Sequence, residues 1–224
     1  MKIKQLHDWE TTPKEAVALQ RQLAGQVRIT PIHAKIRTVA GLDCAFSRDH
    51  TRIGAVIVVF SFPELEIIET VWAKGPAVFP YVPGLLSFRE APVCLKAAEK
   101  LTLRPDLFLV DGQGFAHPRR LGLASHLGLF LDTPTIGCAK SRLTGEYEDP
   151  APEQGAYSLL TDKEETIGAV LRTRTGVKPL FVSVGHKCTL KNTIELTLRC
   201  CTRYRLPEPT RLAHQQVTAL KPKI

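Results

Sequence analysis

The sequence predicts an α/β fold of three layers, with helices on both faces of a mixed sheet, and three observations carry that expectation. Apolar runs over about residues 38–46, 52–60 and 65–73 are joined by links at 47–51 and 61–64. Links that short make neighbouring strands antiparallel, because a parallel crossover needs many more residues. From about residue 84 the pattern changes to alternating helical and extended segments, which calls for parallel strands with right-handed crossovers. The run over 55–60 is apolar at every position, so the sheet has to be covered on both sides.

The chain of 224 residues contains no repeat, low-complexity stretch or long linker, so residues 1–224 are expected to form one domain. Residues 13–27 read as an opening helix with Leu19, Leu23 and Val27 on an i, i+4 ladder. The meander follows. Residues 84–100 carry Leu85, Leu86, Phe88, Val93 and Leu95 at helical spacing, and Pro92 must kink this helix or occupy its first turn. A strand over 107–111, a helix over 119–130 and a strand over 134–138 come next. Further strands fit 155–160, 166–171 and 180–184, with His186 in a strand-to-helix turn. Two helices close the chain at 190–201, with Thr189 as N-cap, and at 207–220. An antiparallel meander followed by parallel strands, with one acid on the first strand and another ending a later one, is the ribonuclease-H-like plan.

Lys plus Arg number 30 against 22 Asp plus Glu, a net charge of +8 that favours an anionic partner. The cations cluster at Arg119-Arg120, at Lys140 and Arg142, at Arg172, Arg174 and Lys178, and from Arg199 to Arg211, a distribution near loops that suits phosphate. Six cysteines (Cys44, Cys94, Cys138, Cys188, Cys200, Cys201) show neither CxxC nor zinc spacing and read as reduced core residues. No apolar run approaches bilayer length, so no membrane partner is expected. The first residues lack an apolar signal core, which points to the cytoplasm.

The chemistry concentrates at Asp111-Gly112-Gln113-Gly114, entered from the strand Leu107-Phe108-Leu109-Val110. A buried strand ending in an acid and two glycines puts a carboxylate at the mouth of the sheet, where a phosphate or metal can approach the backbone. Asp43 lies inside a second apolar strand and needs a proton, a donor or a metal. With Glu90, these acids come from separate elements that this plan can gather at one sheet edge, as metal-dependent phosphodiester chemistry requires. Each acid taken singly also fits a hydrogen-bonded structural role. Pro80-Tyr81-Val82-Pro83-Gly84 is a stiff loop whose ring either wedges into a base stack or packs beneath the loop. His117-Pro118-Arg119-Arg120 suits phosphate at a helix start or is a solvated helix entry. Lys140 ends a strand as a phosphate partner or as a solvent-reaching cation. His214, on the last helix, fits proton transfer or packing.

Taken together, the segments around Asp43, from Pro80 to Glu90, from Asp111 to Arg120 and on through His126, and from Ile136 to Lys140 make the chain resemble the endonuclease V family, as do Ser183 to Lys187 and Arg205 to His214. The likeness runs from about residue 36 to 214. It implies a ribonuclease-H-like fold and a DNA repair endonuclease that recognises hypoxanthine, from deaminated adenine. It also implies magnesium-dependent cleavage, with manganese as a substitute, at the second phosphodiester bond 3′ to the lesion, leaving 3′-hydroxyl and 5′-phosphate ends. Carried over by position, Asp43 and Asp111 bind metal, and Glu90 and His214 complete the catalytic group. Lys140 stabilises the scissile phosphate. Tyr81 is the wedge within Pro80, Val82 and Pro83, and Gly84, Leu85 and Gly112 lie near the base pocket. His117 and Arg119 join the DNA contacts. Val82 stands where the family pattern has a bulkier isoleucine. The expected state is a monomer without an organic cofactor. The competing readings are a related nuclease acting on inosine-containing RNA or on branched or mismatched structures, and a binding module without catalysis. The intact acids argue against the last.

Overall fold

The computed structural model describes all residues, 1–224. Helix α1 (Pro13–Ala24) starts on a capping box: the Thr12 hydroxyl accepts from the Glu15 amide, and the Glu15 carboxylate accepts from the Thr12 amide. Its buried line is Ala16, Gln20 and Leu23; of the expected ladder Leu23 is buried, while Leu19 and Val27, the latter beyond the helix end, pack half-buried at the margin of the core. Strands β1 (Thr38–Phe46), β2 (Arg52–Ser61) and β3 (Ile67–Pro76) form the antiparallel meander. Then follow α2 (Leu86–Ala98), β4 (Leu107–Val110), α3 (Leu123–Leu131), β5 (Thr135–Ala139), β6 (Tyr157–Asp162), β7 (Glu165–Leu171) and β8 (Leu180–His186). Helices α4 (Leu190–Arg199) and α5 (Glu208–Leu220) and a short 3-10 turn (Lys221–Lys223) finish the chain.

All eight strands form one sheet in the order β3-β2-β1-β4-β5-β8-β7-β6. Strands β1, β4 and β5 are mutually parallel at its centre, while β8 runs antiparallel to β5 and β7, and β6 antiparallel to β7. Parallel pairing is therefore confined to the middle of the sheet. Alternate residues of β1 feed two cores: Val39 and Ala45 pack with Ala213 and Val217 of α5, and Ala40 and Leu42 pack with Val93 of α2 and Leu127 of α3. This is the expected three-layer arrangement, with β2 buried along both faces.

Three local expectations need correction. Helix α3 begins at Leu123 rather than near 119, because Arg120 adopts φ 57°, which no helical turn accommodates. Pro92 lies inside α2, in its second turn, which sets aside the first-turn alternative and leaves that of a proline within the helix. His186 closes β8, and the turn into α4 begins after it. No helix is long and apolar enough to cross a membrane.

Candidate active site

The register Leu42↔Val110 between the parallel strands β1 and β4 puts the next residue of each strand, Asp43 and Asp111, side by side. The Asp111 amide donates to the Leu42 carbonyl at 3.1 Å, which carries the pairing to this point. One Asp43 oxygen accepts from the Cys44 amide at 2.8 Å and the other from His214 Nδ1 at 2.6 Å. Gly41 makes the second contact possible. A Cβ there would lie 2.0 Å from the Pro209 carbonyl oxygen, so only glycine lets the start of α5 settle onto β1 and bring His214 over Asp43. Burial, reinforced by the Asp111 charge, raises the Asp43 carboxyl above its ordinary value, against the pull of His214, the Cys44 amide and Lys140.

Glu90 approaches from α2. Burial, followed by the charges of Asp43 and Asp111, raises its carboxyl to about 8. Lys140, one residue past β5, donates to Asp111. Ligand atoms of Asp43, Asp111 and His214 all lie within 4.8 Å of one another, and Glu90 stands outside that group. Two carboxylates and an imidazole, with the Asp43 carboxyl already pushed up by burial and by the neighbouring Asp111 charge, form a donor set that a divalent cation would relieve.

Asp111 also lines a cavity of about 390 Å³, whose opposite wall is the 80–84 loop. Tyr81 is 72% exposed, so its ring does not pack beneath its own loop. The loop is held from behind. Gly84, at φ 77°, offers a carbonyl that accepts from Gln20 Nε2 at 3.0 Å, His117 Nε2 at 3.0 Å and Arg119 Nη2 at 2.7 Å. His117 and Arg119 thus anchor the loop, and the Arg119 Nε also donates to the Gln20 side chain at 2.5 Å. Leu85 turns away into a cluster with Ala16, Phe79 and Phe88, and Leu86 faces the cavity in its place. Gly112 is open to the cavity, whereas a Cβ on Gly114 would lie 2.2 Å from the Val184 carbonyl oxygen, so the second glycine serves packing.

Gln20, Leu86 and Leu143 line the cavity without having been singled out as site residues, and Gln113, named only within its motif, lines it too. Gln113 donates to the Ser141 carbonyl at 2.9 Å, and its own side-chain oxygen is buried without a partner. Most of the basic clusters, expected at phosphate, are instead engaged within the protein. Arg120 pairs with Asp162 and Glu165, Arg172 donates to the carbonyls of Pro150, Ala151 and Val177, and Arg174 to that of Arg203. Arg205 bonds the carbonyls of Lys140 and Pro179, and Arg211 pairs with Glu208. All six cysteines are free, and Cys44 and Cys94 approach to 3.1 Å between sulfurs.

A family model described as Endonuclease V matches residues 21–215. An endonuclease V of Dehalococcoides mccartyi is 53% identical over 214 residues, 96% of each chain. The solved endonuclease V of Bacillus subtilis superposes with a TM-score of 0.95 at 34% identity, covering 100% of this chain and 98% of its own. That of Ciona intestinalis, in complex with a 24mer DNA containing an inosine followed by a ribo-adenosine, gives 0.80 at 30% identity, covering 94% of this chain and 98% of its own. With its acid cluster, cavity and loop gathered at one edge of the sheet, by the strand ends, the chain belongs to the endonuclease V family.

Proposed function

We propose that the protein is a DNA repair endonuclease that recognises deoxyinosine and cuts the second phosphodiester bond 3′ to it, leaving 3′-hydroxyl and 5′-phosphate ends. One observation carries this reading. Asp111 is at once a wall of the cavity and a member of the acid cluster, so a base held in the one sets its own strand beside the other. A cavity of about 390 Å³ has the size of a small-molecule site. The bases that occupy it come out of the stack, and the rigid, exposed Tyr81 fills the gap they leave.

Asp43 and Asp111 would hold a divalent cation, with His214 in reach. Magnesium suits the carboxylate oxygens, and manganese tolerates the imidazole as well. When bound there, the cation would supply charge stabilisation at the phosphate and lower the pKa of a water. Lys140 releases Asp111 to meet the scissile phosphate, and the imidazole of His214 moves a proton near the attacking oxygen. Glu90, whose carboxyl burial and the charges of Asp43 and Asp111 raise while no cation is bound, completes the acidic wall.

Inosine-containing RNA is the second reading, favoured by the ribo-adenosine that follows inosine in the Ciona complex. Matched DNA and RNA strands, each with inosine or adenosine at one position, should be incubated with the protein and magnesium. Cleavage restricted to inosine-containing DNA is expected. Faster cleavage of the RNA would favour the second reading, and no preference for inosine in either would overturn both.

A further inference from the structure

With most of the conspicuous basic clusters engaged in internal contacts, another pair of cations comes into view beside the acids. A groove of about 770 Å³ opens between the β1–β2 turn and the C-terminal end of α5, and Arg48, His50, Lys221 and Thr218 line it. Arg48 and Lys221 are exposed and make no ion pair. The one acid of the turn, Asp49, is folded back onto the Ser47 hydroxyl at 2.6 Å and the Thr51 hydroxyl at 2.9 Å. The turn itself is braced: the Arg89 guanidinium lies 4.7 Å over the Phe46 ring and donates to the His50 carbonyl at 3.0 Å. The other wall is fixed by the chain end, since Ile224 packs against Gly54 and Lys74 donates to the Lys223 carbonyl at 2.5 Å.

The groove's position gives it a purpose. Across the sheet, the cavity lies by the ends of β4 and β5, the acids on β1 and at the end of β4, and the groove at the β1–β2 turn. Thr218 is one turn past His214 on α5, a rise of about 6 Å. The groove therefore begins where the acid cluster ends, on the side away from the cavity. Half of its lining lies beyond residue 215, where the match to the family model stops.

We propose that this groove is a second nucleic-acid subsite, taking the sugar–phosphate backbone of the cut strand on the 3′ side of the scissile bond, with Arg48 and Lys221 on its phosphates. It rests on the reading above, in which the lesion fills the cavity and the cut falls 3′ to it. Cations without carboxylate partners are available to phosphate at no cost of breaking an ion pair, and such contacts make binding salt-dependent.

The full chain, without divalent cation so that nothing is cut, should be titrated with single-stranded DNA carrying one deoxyinosine. The 3′ flank either reaches past the groove or stops at the scissile bond, and the 5′ flank is constant. On the long strand Arg48→Ala/Lys221→Ala should bind more weakly, with a plot of log affinity against log salt shallower by about 1.4, or about 0.7 for each lost single-strand phosphate contact. On the short strand the variant and the parent should bind alike. Equal loss on both strands, no loss on either, or dependence on a lengthened 5′ flank instead would overturn the groove's role. The same titration with adenosine in place of inosine separates the two readings: lost preference for inosine overturns the reading beneath the groove, while retained preference without a flank effect overturns the groove alone.

Discussion

Two polar clusters meet at the same cavity, the first through Asp111 and Lys140 and the second through the 80–84 loop, and they are built on opposite terms. Around Asp43, Asp111 and Glu90, three acids crowd together, and burial with mutual repulsion raises Asp43 and lifts Glu90 to about 8. Their compensation comes from Lys140 and His214, both substantially exposed and able to leave. Behind the 80–84 loop a single carbonyl, that of Gly84, receives three donors, and the donors bond one another through Gln20 and Arg119. The first cluster gives up stability to keep negative charge ready for a cation. The second contributes stability in order to hold a loop still. A site that must bind charge and a support that must not move call for these opposite solutions.

The sharpest way to break the comparison is to neutralise an acid. Asp43→Asn and Asp111→Asn should each lower single-turnover cleavage with magnesium by at least about 100-fold, the equivalent of several kcal/mol of charge stabilisation. Without metal, Asp43→Asn should melt no lower than the parent, because its carboxylate is held there against repulsion. Lost activity together with a large drop in melting temperature would make Asp43 a structural residue instead.

On the other wall the signs reverse. Gly84→Ala should cost about 1–2 kcal/mol from its left-handed backbone alone, and its Cβ would also sit 2.8 Å from the Arg119 guanidinium, which its own bonds prevent from moving aside. Thermal unfolding would register this, and discrimination for inosine should fall with it. Tyr81→Ala, at the exposed tip of the same loop, should leave the melting temperature unchanged while removing about 1–3 kcal/mol of stacking from inosine-strand binding. Equal discrimination by the Tyr81 variant and the parent would mean that the ring does not touch the base stack.

The two walls were not equally legible in the sequence. Asp43 and Asp111 stand out because a carboxylate inside or at the end of an apolar strand has few explanations. Their adjacency, however, depends on the Leu42↔Val110 register, which neither segment encodes by itself. His214 reaches Asp43 only because Gly41 admits Pro209, a long-range fit with no local signature. The loop's anchor was hidden for a different reason. Gln20 is a polar residue on an amphipathic helix and reads as solvated, yet its buried line runs through Ala16, Gln20 and Leu23. Leu85 and Leu86 are neighbours whose roles depend on the phase at which α2 begins. The Arg119-Arg120 pair reads as a helix entry facing phosphate, but a left-handed residue at 120 turns both guanidiniums onto protein acceptors. Strands and their acids follow from local pattern, whereas the partners of buried polar groups follow from packing.

The smallest expected effect is a dependence on pH, and it separates the walls by sign. His117 is fixed in one neutral tautomer: Nδ1 accepts from the Arg119 amide at 3.1 Å, and Nε2–H donates to the Gly84 carbonyl. A second proton on Nδ1 would face that amide, and burial with the nearby Arg119 charge already lowers the ring from 6.5 to about 4. The unfolded chain takes up this proton below pH 6.5 and the fold refuses it, so the contribution of His117 is complete above 6.5 and is lost as pH falls toward 4. Glu90 works the other way. Its carboxyl is raised from 4.5 to about 8, so its contribution is complete below 4.5 and is lost as pH rises toward 8. Urea midpoints measured without metal from pH 4 to 8 should therefore show a slope at the acid end that His117→Gln flattens, and a slope at the alkaline end that Glu90→Gln flattens. His126 and His186, lowered by burial to about 3 and about 4, keep part of the acid slope in the His117 variant. An acid slope identical in parent and variant would show that the His117 ring takes its second proton without disturbing Gly84, and that the loop is held by Gln20 and Arg119 alone.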